Sequence, residues 1–196
     1  METLKFIEYN LQNNHIYFGI FFFIIGCCLT SFFNVVIFRI PKMIEQQNAQ
    51  DVKDWFEEKN IPFPKELEPL LEKINLSFPA SHCYQCKTPL KWYHNIPVFS
   101  YLFLKGKCGH CQAPFSIQYP IVELVGGIIL LSTYLLFISQ GLFVFTLAAF
   151  LFLMCFLLIG IDLKSFMLPD SLTMSLLWVG LLSTTFGITL QQQELV

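Results

Sequence analysis

The chain has 196 residues, a formal net charge of −2 and 55% hydrophobic residues, with 22 Phe and only 13% charged side chains. A soluble domain carries about 25% charged residues, so this composition excludes an ordinary water-soluble enzyme. No stretch is basic enough for a nucleic-acid footprint, and the apolar residues fall in long runs that point to a bilayer rather than one large core.

The first run spans Tyr17 to Phe38, near the length of about 20 residues that crosses a hydrocarbon core as a helix. Inside it, Ile24-Ile25-Gly26-Cys27 loosely resembles a lipoprotein cleavage site. The segment before it carries a single basic residue, Lys5, and the run continues well past Cys27, which argues for a membrane span and against a signal. A long polar loop follows from Pro41 to Tyr119. Its first part, Gln46 to Leu76, mixes charges with Trp55, Phe56, Leu67, Leu70, Leu71 and Ile74. That spacing predicts short amphipathic helices broken at Pro62, Pro64 and Pro69, packed on the loop's own core or lying on a membrane surface. The second part, Ser81 to Pro114, contains two Cys-x-x-Cys pairs, Cys83/Cys86 and Cys108/Cys111.

Three more apolar runs follow, at about Ile121 to Ile138, Leu142 to Ile161 and Leu172 to Leu190. Ser139-Gln140-Gly141 is a tight link, so the second and third spans form an antiparallel hairpin. The expected fold is therefore an all-α integral membrane protein with about four transmembrane helices and a cysteine-bearing loop between the first two. Its regions are 1–40, the N-terminal segment and first span; 41–119, the loop; and 120–196, the remaining spans. Ten of the twelve Lys and Arg lie between Arg39 and Lys107. By the positive-inside rule the loop faces the cytoplasm and the N-terminus lies outside.

The cysteine pattern is C-x2-C-x21-C-x2-C, slightly longer than the usual zinc-ribbon spacing. Two residues between cysteines allow a tight turn that points both sulfurs at one ion, and two such turns supply the four thiolates of a closed structural zinc site. Pro89, Gly106 and Gly109 suit turns beside these pairs. A reduced cytoplasmic face disfavours disulfides. An iron–sulfur cluster remains chemically open, as does a thiol redox role, although the βαβ context of thioredoxin-like motifs is missing. His82 and His110 adjoin cysteines and read as turn residues, His15 and His94 as surface residues, and Cys27, Cys28 and Cys155 as small packing residues within spans.

The acidic signal is Gly160-Ile161-Asp162 through Leu168-Pro169-Asp170. Asp162 falls at the cytoplasmic end of the third span, where a carboxylate is either a functional group or a helix end meeting water. Asp170 opens the fourth span and Glu123 the second, and an acid near a helix N-terminus is favoured by the dipole alone. Proteolysis by carboxylates needs two of them close together. Asp170 is a poor partner for Asp162, and the only later acid is Glu194.

Taken together, these stretches resemble the prepilin peptidases, or type IV leader peptidases. The resemblance rests on Ser31-Phe32-Phe33-Asn34-Val35-Val36-Ile37 with Arg39-Ile40-Pro41, the two cysteine pairs, and Trp92 with Asn95-Ile96-Pro97-Val98-Phe99-Ser100-Tyr101. It continues through Gly106-Lys107-Cys108, Tyr119-Pro120-Ile121-Val122-Glu123-Leu124 and Ile161-Asp162 to Leu168-Pro169-Asp170. Thr30 and Phe38 depart from residues common in the family, Gly and His respectively. The resemblance implies a bacterial inner-membrane aspartic peptidase that removes the leader from type IV prepilins and type II secretion pseudopilins. It also implies N-methylation of the new N-terminus from S-adenosylmethionine, a zinc-bearing cytoplasmic loop held by Cys83, Cys86, Cys108 and Cys111, and Asp162 as the first catalytic aspartate. The family's second aspartate, in a Gly-x-Gly-Asp motif on a later helix, has no counterpart here, so the chain is expected to be truncated before it and to lack peptidase activity alone. The contrasting expectation is a non-catalytic zinc-binding membrane assembly factor, or else a membrane-anchored thiol oxidoreductase.

Overall fold

A computed structural model describes residues 9–11, 13–77, 82, 83, 85–89 and 98–193. Trp92 and Asn95-Ile96-Pro97 of the family resemblance, His94, and Glu194 lie outside the described residues. The described chain is helical, with helices α1 (His15–Glu58), α2 (Phe99–Phe103), α3 (Gln118–Phe137), α4 (Leu142–Ser165) and α5 (Asp170–Gln193). Its only extended pairings are the isolated bridges His82 to Pro89 and Lys107 to Pro114.

Three stretches are long and apolar enough to cross a membrane: α1, Gln118–Gln140 and α4. The fourth expected span also forms a helix, the 24-residue α5. These helices turn large apolar side chains outward, among them Ile20, Ile24, Phe32, Ile128, Phe150 and Ile159, as a lipid environment requires.

The first helix differs from expectation. It does not stop at Pro41 but runs through it to Glu58, 44 residues in all, about 66 Å of helix where a crossing takes about 30 Å. Pro41 is buried; it removes one helix hydrogen bond and its ring crowds the preceding turn, yet the helix continues through it. The polar face of Lys42 to Glu58 then continues the helix in water. The expected helices around Pro62, Pro64 and Pro69 reduce to one 3₁₀ helix, Lys65–Leu71, with no buried residue. This segment is tied back to α1, because Gln46 Oε1 accepts the Ile74 N–H (3.1 Å) and Arg39 Nη1 donates to the Asn75 carbonyl (2.8 Å).

The chain divides into two compact units, one made of residues up to Leu29 and from Leu124 onward, the other of Thr30–Glu123. Within the first, the link between α3 and α4 is a 3₁₀ turn, Ile138–Gln140, ending at Gly141 with φ 106°. Around Tyr134, which is fully buried, Phe22 and Phe145 pack with ring centroids 4.9 and 6.0 Å away. The Tyr134 hydroxyl donates to the Leu11 carbonyl (2.6 Å), which satisfies the one polar atom of this cluster. Here α1 and α3 meet at glycines: a Cβ on Gly26 would lie 2.6 Å from the Gly126 carbonyl oxygen and 2.8 Å from the Gly127 Cα. Only hydrogen fits, and the two backbones pack directly.

Gly26→Ala is therefore expected to destabilise the helix pair by about 1–3 kcal/mol through overpacking, read as a lower unfolding midpoint in detergent. Gly180→Ala, where nothing stands within 4 Å, is expected to leave it unchanged; equal midpoints for the two variants would contradict the close crossing.

Candidate metal centre

Within the unit Thr30–Glu123, the two cysteine pairs adopt the same backbone twice. In the first, the Cys83 N–H donates to the Thr88 carbonyl (3.0 Å) and the Lys87 N–H to the Cys83 carbonyl (2.9 Å). In the second, the Cys108 N–H donates to Ala113 (2.8 Å) and the Gln112 N–H to Cys108 (3.0 Å). Each turn is closed by a bridge between the residue before the first cysteine and the proline three after the second. The residue after each pair, Lys87 (φ 57°) and Gln112 (φ 60°), takes the left-handed conformation. The glycine signal pointed elsewhere: Gly106 has positive φ, whereas Gly109 does not. The turn is set by hydrogen bonds strong enough to hold non-glycine residues in a region that costs L-residues roughly 1–2 kcal/mol.

These two turns bring the four sulfurs within 4.8 Å of one another. Cys83 and Cys111 Sγ are 3.7 Å apart, and Cys86 and Cys108 Sγ 4.0 Å. Four thiolates at the Zn–S distance of about 2.3 Å stand about 3.8 Å apart at the corners of a tetrahedron, so the cage fits one zinc-sized ion. No pair is at bonding distance, and all four are free thiols. Cys83 and Cys108 are buried while Cys111 faces solvent. Ala113, Cys86 and Phe115 complete a small core around the sulfurs.

The surroundings already favour ionised sulfur at some corners. Hydrogen bonds from the Thr88 side chain and amide hold the Cys86 thiol down at about 6. The Cys111 and His110 amides lower Cys108, the latter lying 3.5 Å from Cys108 Sγ. His110 thus serves the site through its backbone, as a turn residue. Cys111 is lowered by the Ala113 amide, but burial and the adjacent sulfurs outweigh this and push it up to about 11. A cation would remove that penalty, because it lets all four corners ionise together.

The second turn also supports α2. Gly106 (φ 68°) lets the chain fold back so closely that a Cβ there would meet Tyr101 Oη at 2.7 Å. The Gly106 N–H donates to the Tyr101 carbonyl (2.8 Å), and the Gly106 carbonyl accepts from Phe115 (2.7 Å). The two ends of the loop are joined by buried polar residues. Thr30 Oγ1 donates to the Glu123 carbonyl (3.3 Å) and Asn34 Nδ2 to the Tyr119 carbonyl (3.2 Å). The Glu123 carboxylate, nearly buried, accepts the Val98 N–H at 2.7 Å. From sequence alone Glu123 reads as an unremarkable helix-start acid. The available signal was that Thr30 and Asn34 recur every four residues on an apolar helix, which marks a polar stripe facing protein.

Asp162 lies in the last turn of α4, with its side chain exposed. Its carbonyl accepts the N–H of Phe166, whose left-handed φ of 52° ends the helix. Among the described residues its carboxylate makes no hydrogen bond or ion pair. Asp170 stands in the first turn of α5, also exposed. Cys27 is buried, as a packing residue should be, whereas Cys28 and Cys155 face outward because they fall on the far sides of their helices.

Residues 24–137 match the bacterial peptidase A24 N-terminal domain. This stretch contains both cysteine turns, α2, α3 and most of α1. The chain belongs to the prepilin leader peptidase/N-methyltransferase family. A member from Klebsiella pneumoniae is 40% identical over 84% of this chain and 60% of its own length. Those from Neisseria gonorrhoeae and Legionella pneumophila are 38% and 36% identical, over 84% and 87% of this chain and 54% and 55% of theirs. The chain thus spans a little over half the length of these relatives. No solved structure matches it.

Purified chain is expected to carry one zinc per molecule, with the four loop thiols blocked to alkylation until a chelator is added. Since Cys86 is already largely ionised above pH 6, zinc uptake by the apo chain near pH 7.5 should release fewer than four protons. Because the ligands must be deprotonated, affinity should fall as pH falls. Four rapidly alkylated loop thiols in metal-replete protein would contradict the closed site.

Proposed function

We propose that this chain is the N-terminal and central part of the working machinery of a bifunctional prepilin leader peptidase and N-methyltransferase. The observation that carries the reading is the four-thiol cage on a loop whose ends are pinned together, within the residues that match the family domain. In this reading zinc is structural, since four thiolates leave no open coordination position for substrate. It holds the loop in shape.

Asp162 is assigned as one of two catalytic aspartates. One carboxylate takes a proton from water as it attacks the scissile carbonyl. The other protonates the departing nitrogen as the C–N bond breaks. Asp162 suits this role by position: it is exposed at the end of an apolar 24-residue helix, where a bond beside a substrate's membrane helix would lie. The second acid is assigned to another helix, as the family resemblance implies. S-adenosylmethionine, when bound, would supply the methyl group for the new N-terminus. The three regions 1–40, 41–119 and 120–196 then act as anchor, zinc-bearing loop and start of the peptidase part. The basic residues flanking the loop favour a cytoplasmic loop in the bacterial inner membrane. There it meets the leader of type IV prepilins or type II secretion pseudopilins, while their apolar helices share the bilayer.

The purified 196-residue chain, reconstituted in vesicles with a prepilin, is expected to cleave no leader. A chimera completed to full length with the C-terminal part of the Klebsiella pneumoniae relative is expected to cleave it. Asp162→Asn in that chimera should lower the rate at least about 100-fold, the range for losing one acid–base group, without changing zinc content. Leader cleavage by the 196-residue chain would show that no further acid is needed; full activity of the Asp162→Asn chimera would remove Asp162 from the mechanism.

A further inference from the structure

Helix α2 and the turn after it turn an unusual face outward. Tyr101 packs inward against Gly106, and Leu104 comes within reach of the second cysteine turn at Gly109. Leu102 and Phe103 point the other way and are 65% and 85% exposed. Lys105 and Lys107, both exposed, follow directly. Ile117, 64% exposed, closes the same segment one residue before α3 begins. Two large apolar side chains on a five-residue helix, this open to water, are an unfavourable arrangement unless something covers them.

The position of this face says what covers it. The segment is fastened to α3 itself, because the Val98 N–H at the start of α2 is held by Glu123, about a turn and a half into that helix. The Gly106 carbonyl, at its end, is held by Phe115, three residues before α3. Since α3 is apolar over a membrane-crossing length, its N-terminus lies at a membrane border. Two further features mark that level. Phe38 and Tyr119 stack with centroids 6.0 Å apart and planes 13° from parallel, as aromatic residues gather at the interface. Arg39 immediately follows Phe38. Charge points the same way: residues 73–122 contain five lysines and not one carboxylate, which outweighs the negative charge of four thiolates around a divalent ion.

We propose that Leu102 and Phe103, flanked by Lys105 and Lys107, form an interfacial wedge that seats the metal-bearing loop on an anionic lipid surface. The apolar pair enters the boundary between headgroups and acyl chains, and the lysines stay among the phosphates, as long cationic side chains do. The proposal rests on α3 crossing the membrane and is independent of the peptidase assignment.

The test places a tryptophan at the wedge, Phe103→Trp, in the full chain with Trp55, Trp92 and Trp178 replaced by Phe. The protein is reconstituted in vesicles of phosphatidylethanolamine and phosphatidylglycerol. The expected result is blue-shifted emission, little quenching by aqueous iodide, and strong quenching by lipids brominated high on the acyl chain, corresponding to a depth of about 5–10 Å below the headgroups. Lys105→Gln with Lys107→Gln should weaken the bromolipid quenching in these vesicles and change nothing in pure phosphatidylcholine. Emission quenched by iodide and untouched by bromolipid would overturn the wedge. Shielding from both quenchers would also overturn it, because protein, such as a second copy of the chain, would then cover the patch. A double-lysine variant equally deep in both lipids would overturn the anionic preference.

Discussion

The loop depends on two hydrogen bonds made inside an apolar helix pair. Thr30 and Asn34 lie one turn apart on α1, and they donate to the carbonyls of Glu123 and Tyr119, one turn apart in the opposite sense on α3. Away from water, each such group needs a partner or costs several kcal/mol. A slip of one residue would leave both side chains facing the wrong carbonyls. The pairing therefore fixes the register and direction of the two helices, and with them the positions at which the loop leaves and returns. Loop closure grows only as the logarithm of length, so once the ends are fixed a loop of this size folds at little further cost. Four thiols separated by up to 28 positions then meet within one small cage.

The clustering of the four cysteines was legible because its information is local. Each Cys-x-x-Cys pair is a turn that can be recognised without knowing the rest of the fold, and the two turns repeat the same hydrogen bonds. What the sequence hid was how the turns close. Lys87 and Gln112 adopt left-handed backbone without being glycine, so residue type pointed to Gly109, which lies in an ordinary conformation. The membrane helices were legible for the same local reason. The end of α1 was not: Pro41 marks a helix end by propensity, at a cost of about 3 kcal/mol in a helix interior, yet the residues after it continue the helix to Glu58.

The acids show the opposite limit. Asp162 and Glu123 are both carboxylates near helix ends, and nothing local separates them. Their surroundings do. Asp162 stays exposed at a helix C-terminus, against the dipole, a position that contributes nothing to stability and so has a stabilising role only if something else approaches it. Glu123 is buried about a turn and a half into α3 and already engaged. In the proposed mechanism the two cooperating carboxylates come from separate helices, and a single chain segment carries no sign of which helix supplies the second.

The engagement of Glu123 explains a strain nearby. Val98 holds φ at 58°, an outlier for a β-branched residue, at a cost on the order of 1–3 kcal/mol. A hydrogen bond to a charged acceptor contributes about 1.5–3 kcal/mol, so the bond from the Val98 N–H to the carboxylate is of the size needed to offset that strain. The acceptor must also reach from a helix backbone to a neighbouring chain, which a serine hydroxyl or the shorter aspartate would do less well. A buried negative charge is ordinarily unfavourable. Here the carboxylate is engaged by the Val98 N–H, beside a segment with lysines and no acid of its own. Burial, a short hydrogen bond and backbone strain thus converge on one side chain. They account for a glutamate at this position better than the requirements of a helix start alone.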